Sequence, residues 1–404
     1  MEELLSNDIA KSIRTMAERA RRAAREMRKL SSEEKNTVLL AIHDKLIAAR
    51  DAIFEANKLD IEEAKRNNLS SAFVDRLTFT EERFLEMING VKKVATLPDP
   101  VGETIWTRQM PCGINISKTR EPFGVIAVVF ESRPNVFVDT AALCLKSGNA
   151  IILRGGKEAI RSNMALAKAV REALPCPDAV QLVETTDHAA VREIVRAVGL
   201  IDLAIPRGGE KLIRAMCEAA LIPVLKHYKG VCHIYVDDEA DLAMALSILD
   251  NAKVQRPSAC NAVECLLVHE KLAPLFLPMV NAWAKGSNVT LHEDGAGVEY
   301  LSLDLNVVRV KDYREAIDFI NANSSGHSDA IITNNMARAE EFLRDVDSAC
   351  VYHNASTRFT DGAQFGMGAE IGISTDKLHA RGPMGLEELT TYKYKITGDG
   401  VIRA

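Results

Sequence analysis

The sequence has no CxxC pair and no histidine at metal-ligand spacing from a cysteine, although it holds eight cysteines in 404 residues. Cys112, Cys144, Cys176, Cys217, Cys232, Cys260, Cys265 and Cys350 are scattered without the spacing of a disulfide scaffold. That excludes a disulfide framework and a Cys/His zinc site, and it points to the cytoplasm as the compartment. No apolar run approaches the length needed to cross a bilayer. The opening Met1-Glu2-Glu3-Leu4-Leu5 lacks the basic-then-apolar order of a secretory signal. A surplus of basic charge is also missing: the formal net charge is −6, which argues against general binding to nucleic acid or an anionic membrane. Nor does a GxGxxG fingerprint follow any strand-like run, an absence that by itself argues against a nicotinamide cofactor.

What is present is a globular composition, 47% apolar and 26% charged, long enough for two domains with full cores. The first hundred residues read as helical. Ile9, Ile13, Met16, Ala20, Ala23 and Met27 recur at helical spacing, so the Arg-rich stretch from Lys11 to Lys29 reads as an amphipathic helix rather than a transit peptide. Ser31 and Glu34 form a capping box ahead of Val38, Leu39, Ile42, Leu46 and Ile47. From Gly124 the rhythm changes to strand-length apolar runs: Val125 to Phe130, Ile151 to Leu153, Val180 to Val183, Leu203 to Ile205 and Pro223 to Leu225. Helical patterns lie between them, at Asn163 to Leu174 and His188 to Val198. Such alternation predicts a doubly wound parallel sheet.

A second alternating series begins at His233 to Val236 and continues through Glu264 to Val268, Val307 to Val310, Ala330 to Thr333 and Ala349 to Tyr352. This places a domain boundary close to Lys229-Gly230. Two pieces fit neither sheet. Ile105 to Arg120 reads as a hairpin turning near Pro111-Cys112-Gly113, and Thr390 to Ile396 alternates like a strand with one buried face. Each is either an edge that pairs with another subunit or a segment lying back on its own domain.

The segment Gln255-Arg256-Pro257-Ser258-Ala259-Cys260-Asn261-Ala262-Val263-Glu264 puts a cysteine on a polar turn just before an apolar strand. A packing cysteine sits inside such a strand, as Cys265 does. Cys260 precedes it, where a thiol can meet a ligand and Arg256 can supply a positive field for a thiolate. On this segment alone, a packing role and a nucleophilic one both remain open.

Three further blocks carry more: Glu131-Ser132-Arg133-Pro134-Asn135, Gly326-His327-Ser328-Asp329-Ala330-Ile331, and the run from Asn354-Ala355-Ser356-Thr357-Arg358 to Arg381-Gly382-Pro383-Met384-Gly385. With these in order, nearly the whole chain resembles the aldehyde dehydrogenase superfamily, in a branch that reduces an acyl phosphate. The resemblance implies an α/β, aldehyde dehydrogenase-like fold of two doubly wound domains with a small β oligomerisation flap. Residues 1–100 and 121–230 would bind NADP, 231–387 would carry the nucleophile, and 101–120 with 388–404 would form the flap. It makes Cys260 the nucleophile. It also makes Asn135 an oxyanion donor beside the Cys260 backbone N–H; the plainer alternative for Asn135 is a turn residue after Pro134.

The superfamily binds its dinucleotide at strand ends of its own. The matching segments are Leu153-Arg154-Gly155-Gly156-Lys157 and Pro206-Arg207-Gly208-Gly209-Glu210, each after a strand and before a helix, where small residues let a phosphate approach backbone N–H groups. Arg154, Gly155, Lys157, Gly208 and Gly209 are therefore the expected cofactor residues. Lys157 stands where NAD-preferring relatives often carry a glutamate, so the resemblance implies NADP(H). Glu299 matches a glutamate on the nicotinamide ribose, or else is a solvated strand-end residue.

Oxidising members use a glutamate base in a Glu-Leu-Gly-Gly stretch. Here the stretch is Leu225-Lys226-His227-Tyr228-Lys229-Gly230, with no carboxylate. The resemblance therefore implies reduction of L-glutamyl 5-phosphate to L-glutamate 5-semialdehyde, the second step of proline synthesis from glutamate. Arg133 and Arg256 are candidates for the substrate's phosphate or carboxylate, and Ser356, Thr357 and Arg358 for the amino-acid end; arginines also serve as ion-pair partners. His327 is either structural or catalytic. The expected partners are a further copy of the chain, as a homo-oligomer, and a separate glutamate 5-kinase, since this chain is too short to contain one. No metal is expected. The alternatives are an aldehyde dehydrogenase oxidising another small semialdehyde, a cysteine hydrolase and a non-catalytic binding protein. A hydrolase would need His227, His233 or His327 beside the thiol, and no feature ties one there.

Overall fold

Continuous apolar runs become the buried strands of two parallel sheets, each in its own unit of a computed structural model that describes residues 2–403. Unit 1 comprises Met1–Leu225, Met367–Gly372 and Met384–Ala404; unit 2 comprises Lys226–Gly366 and Ile373–Pro383. The chain thus leaves unit 1 after Leu225 and returns to it twice near its end.

Unit 1 opens with the helices Glu2–Met27, Ser32–Ala48, Arg50–Arg66, Ser71–Leu77 and Glu81–Thr96. Ile13, Ala17, Ala20 and Ala24 of the first helix pack on the sheet core with Val125, Ala127 and Ile152, so its periodic stripe is a core face. The capping box forms: Ser31 Oγ accepts the Glu34 N–H at 3.3 Å, and the Ser31 N–H donates to Glu34 Oε2 at 2.7 Å. The sheet is parallel, in the order Val180–Leu182, Ala150–Arg154, Val125–Phe130, Leu203–Arg207. Every residue of Val125–Phe130 is buried, because this strand lies between two neighbours and is covered on both faces. Chain order reverses direction around it. Such a switch point opens a crevice outside the C-terminal strand ends, where Phe130 pairs with Arg207 and Val129 with Arg154.

Pro223 to Leu225, expected as a further strand, makes only one isolated parallel bridge, Ala204 to Val224. Proline supplies no N–H for a ladder there. The hairpin forms as Thr104–Gln109 and Asn115–Pro122, and the tail strand Thr390–Thr397 adds antiparallel to the second of these, with Tyr392 opposite Arg120. One side of this sheet gathers aromatic groups: the Trp106 and Tyr394 rings lie 5.8 Å apart, and Tyr392, Tyr394 and Ile396 are all exposed.

Unit 2 holds a six-stranded parallel sheet in the order Cys350–His353, Ser328–Ile332, Cys232–Val236, Val263–His269, Asp304–Val310, Thr290–His292. Helices Leu242–Val254 and Ala273–Gly286 bury one core with it, and helices Tyr313–Asn323 and Met336–Asp345 bury a second. The three-residue edge strand Thr290–His292 had no legible apolar run, being partly exposed throughout.

Candidate active site

The turn carrying Cys260 lies between helix Leu242–Val254 and the wholly buried strand Val263–His269. It is closed by backbone bonds from the Ala259 N–H to the Arg256 carbonyl, 3.1 Å, and from the Ala262 N–H to the Ala259 carbonyl, 3.0 Å. Three cysteines sit in this region, and burial separates them. Cys232 and Cys265 are inaccessible, and burial pushes the Cys265 thiol up to about 12 and Cys232 well above its ordinary value. Cys260 is half-buried and reaches solvent. A thiol that must ionise needs that access.

Unit 2 fastens the turn from several sides. The Cys232 thiol donates to the Cys260 carbonyl at 3.3 Å. Thr357 Oγ1 donates to the Asn261 carbonyl at 2.7 Å, and the Asn261 amide donates to the Thr360 carbonyl at 2.8 Å. The Arg358 guanidinium donates to Gln255 Oε1 at 3.1 Å and also to the Asn261 side-chain oxygen. Burial and then the neighbouring Arg256 cation lower the Arg358 pKa, while Cys260 and Asp361 act in the opposite sense. Two guanidinium groups therefore share the electrostatic surroundings of the thiol. Arg358 also lines a cleft of about 220 Å³ with Asn251, Gln255, Phe359, Asp361 and Gln364.

Ser356 and Thr357, expected at the amino-acid end of a substrate, are turned inward. Ser356 Oγ accepts the Arg358 N–H at 3.3 Å and Thr357 is fully buried, so both hydroxyls fix the loop. Arg256 and Arg358 retain access to solvent. Gly230 lies against the nucleophile: a Cβ there would fall 2.0 Å from the Cys260 carbonyl oxygen. The Gly230 N–H donates to Glu299 Oε1 at 2.7 Å, placing Glu299 at the end of the segment that lacks the base. His327 is fully buried, and burial, then His227, hold its pKa down at about 3, so the imidazole is neutral. Its Nδ1 lies 2.8 Å from Ser328 Oγ and 3.9 Å from the Cys232 sulfur. It supports the layer beneath the turn.

In unit 1, the crevice at the strand ends brings together the expected cofactor segments. The Glu131 N–H donates to the Arg207 carbonyl at 3.3 Å, the Gly156 N–H to the Glu131 carbonyl at 3.2 Å, and the Gly209 N–H to Glu131 Oε1 at 3.1 Å. A Cβ on Gly208 would lie 2.6 Å from the Glu131 side chain, and one on Gly155 would lie 2.2 Å from Asn163 Nδ2. Lys157 is exposed at this edge. Arg154, expected beside it, is only 6% exposed, donates to the Thr186 carbonyl at 3.0 Å and has its pKa lowered by burial. It faces the interior, so of these two cations Lys157 is the one that meets solvent. Arg133 is exposed in the same block as Asn135, which begins helix Asn135–Lys146.

The chain is similar to known proteins over nearly its whole length. The aldehyde dehydrogenase family model matches residues 5–296 and 305–394. The gamma-glutamyl phosphate reductase of Carboxydothermus hydrogenoformans is 48% identical, over 96% of this chain and 98% of its own. That of Thermodesulfovibrio yellowstonii is also 48% identical, over 98% and 100%. Among solved structures, the gamma-glutamyl phosphate reductase of Thermotoga maritima superposes with a TM-score of 0.95 at 43% identity, covering 97% of this chain and 100% of that one. An acetylating aldehyde dehydrogenase of Geobacillus thermoglucosidasius shares the fold, with a TM-score of 0.71 at 16% identity. The chain belongs to the aldehyde dehydrogenase family and, within it, to the gamma-glutamyl phosphate reductases.

Proposed function

We propose that this chain reduces L-glutamyl 5-phosphate to L-glutamate 5-semialdehyde and phosphate, with NADPH as reductant and a thioester on Cys260 as intermediate. The observation that carries it is an accessible cysteine on a fastened turn, in a chain 48% identical to gamma-glutamyl phosphate reductases over nearly its full length. The Cys260 thiolate attacks the γ-carbonyl, and the tetrahedral oxyanion takes the Cys260 N–H and the Asn135 amide. The C–O bond to phosphate then breaks. Phosphate is a good leaving group, so no general acid is needed. Arg256, Arg358 and Arg133 are suited to its charge and to the substrate carboxylate. The nicotinamide, when bound, supplies the hydride that reduces the thioester carbonyl. The same donors hold the oxyanion a second time, and its collapse frees the aldehyde and restores the thiolate. No carboxylate base stands in Lys226–Gly230, which suits a cycle that must keep water off the thioester.

The unit 1 crevice fits a dinucleotide. The Gly209 N–H already donates to an anionic oxygen, that of Glu131, as it would to a phosphate oxygen. The exposed Lys157 suits a 2′-phosphate. Lys157→Glu should lower the NADPH-to-NADH ratio of kcat/KM by roughly tenfold, an exposed ammonium–phosphate pair being modest in strength. An unchanged ratio in steady-state assays would remove Lys157 from cofactor choice. The exposed aromatic face of the three-stranded sheet suits a second copy of the chain as its cover.

The reading is tested by running the reaction backwards. With semialdehyde and NADP, NADPH should form only when inorganic phosphate is added. Equal rates without phosphate would favour a water-using aldehyde dehydrogenase instead.

A further inference from the structure

Helix Asn135–Lys146 is apolar along almost its whole length, with the sequence NVFVDTAALCLK. Asp139 is its one acid, four residues after Asn135 and so on the same face, one turn on. The Asn135 Nδ2 donates to Asp139 Oδ2 at 2.9 Å. A carboxylate can only accept, so the Asn135 side chain must present its NH₂ and not its oxygen to this neighbour. An amide nitrogen carries two protons. Committing one to Asp139 fixes the plane of the group and leaves the second directed away as a donor. We infer that Asp139 is the positioning residue that orients the Asn135 amide for the oxyanion, acting through that hydrogen bond and not by touching substrate.

Other features agree. Burial pushes Asp139 up to about 6, opposed by the Asn135 hydrogen bond and by the Arg207 cation, so at neutral pH the group is mainly the carboxylate the argument needs. A charged acceptor in an otherwise apolar helix is costly unless it has such partners. The inference rests on the proposed role of Asn135, and the experiment separates the two.

Four enzymes are compared in the phosphate-dependent reverse assay: wild type, Asp139→Ala, Asn135→Ala and the double variant, with Asp139→Asn and Asp139→Glu alongside. Asp139→Ala should lower kcat by about tenfold while both KM values stay within twofold, since orientation is needed at the oxyanion rather than for binding. Asp139→Glu, which keeps the acceptor, should recover most of that loss. In the Asn135→Ala background, removing Asp139 should cost nothing further. An equal loss in both backgrounds, or a wild-type kcat for both Asp139→Ala and Asp139→Asn, overturns the inference while leaving Asn135 in place. An unaltered kcat for Asn135→Ala overturns the role of Asn135 itself. If Asp139→Ala fails to fold, the near-isosteric Asp139→Asn serves in the same cycle, with a smaller loss that again vanishes when Asn135 is absent.

Discussion

Cys260→Ala should abolish acyl-enzyme formation and lower turnover by roughly 10⁴-fold or more, as removal of a covalent nucleophile does elsewhere. Neighbouring sulfurs cannot take over. Cys232 and Cys265 are inaccessible, and burial holds both thiols protonated far above neutral pH. Serine in place of Cys260 should fare little better, because an alcohol needs a partnered base and His327, the imidazole in the layer below, is enclosed and points its Nδ1 at Ser328. Intact-protein mass spectrometry checks this directly. Wild type mixed with glutamyl phosphate in the absence of reductant should gain one glutamyl group, and Cys260→Ala should gain none. Cofactor binding, followed by quenching of protein fluorescence, should be retained in the variant. A glutamyl adduct on Cys260→Ala would sink the thioester route.

Much of the scaffold was legible because burial on both faces writes itself as an unbroken apolar run. Val125 to Phe130 and Cys265 to Val268 are such runs, and each lies in a central strand. Pro223 to Leu225 and Thr290–His292 mark the limit of that signal from its two sides: an apolar run containing proline need not join a ladder, and a short edge strand needs no apolar run. The return of Met367–Gly372 to unit 1 left no trace in periodicity, since that segment is irregular backbone until Gly372 opens a three-residue strand. Within the site, Cys260 could be told from Cys265 by its place before the strand rather than in it. What could not be read was direction. Ser356, Thr357 and Arg154 are polar types at plausible positions, yet each turns toward backbone carbonyls or amides of its own unit. Asp139 had a faint signal, a lone acid four residues beyond Asn135 in an apolar helix.

Gly230→Ala should be the most damaging substitution that leaves all proposed reacting groups in place. The added methyl would fall 2.0 Å from the Cys260 carbonyl oxygen and 2.6 Å from its Cα, both backbone atoms that no rotamer change can move. Relief has to come from shifting the turn or the Lys226–Gly230 segment by an ångström or more. The turn resists, being tied by the Cys232 thiol, Thr357 and the Asn261 amide. The Lys226–Gly230 segment resists too, through the Gly230 bond to Glu299 and the Lys226 pair with Asp376 at 2.9 Å. Whichever yields, the thiol and its own N–H are displaced together, and a misplacement of about 1 Å can cost roughly 10²-fold in rate. The expected signature is a kcat lowered at least that far in a protein that still unfolds cooperatively and still binds NADPH. Alkylation of Cys260 by iodoacetamide should also change, because the surroundings of the sulfur move with the backbone. Wild-type kcat with an unaltered alkylation rate would mean that the close approach of Gly230 does not govern the geometry of the nucleophile.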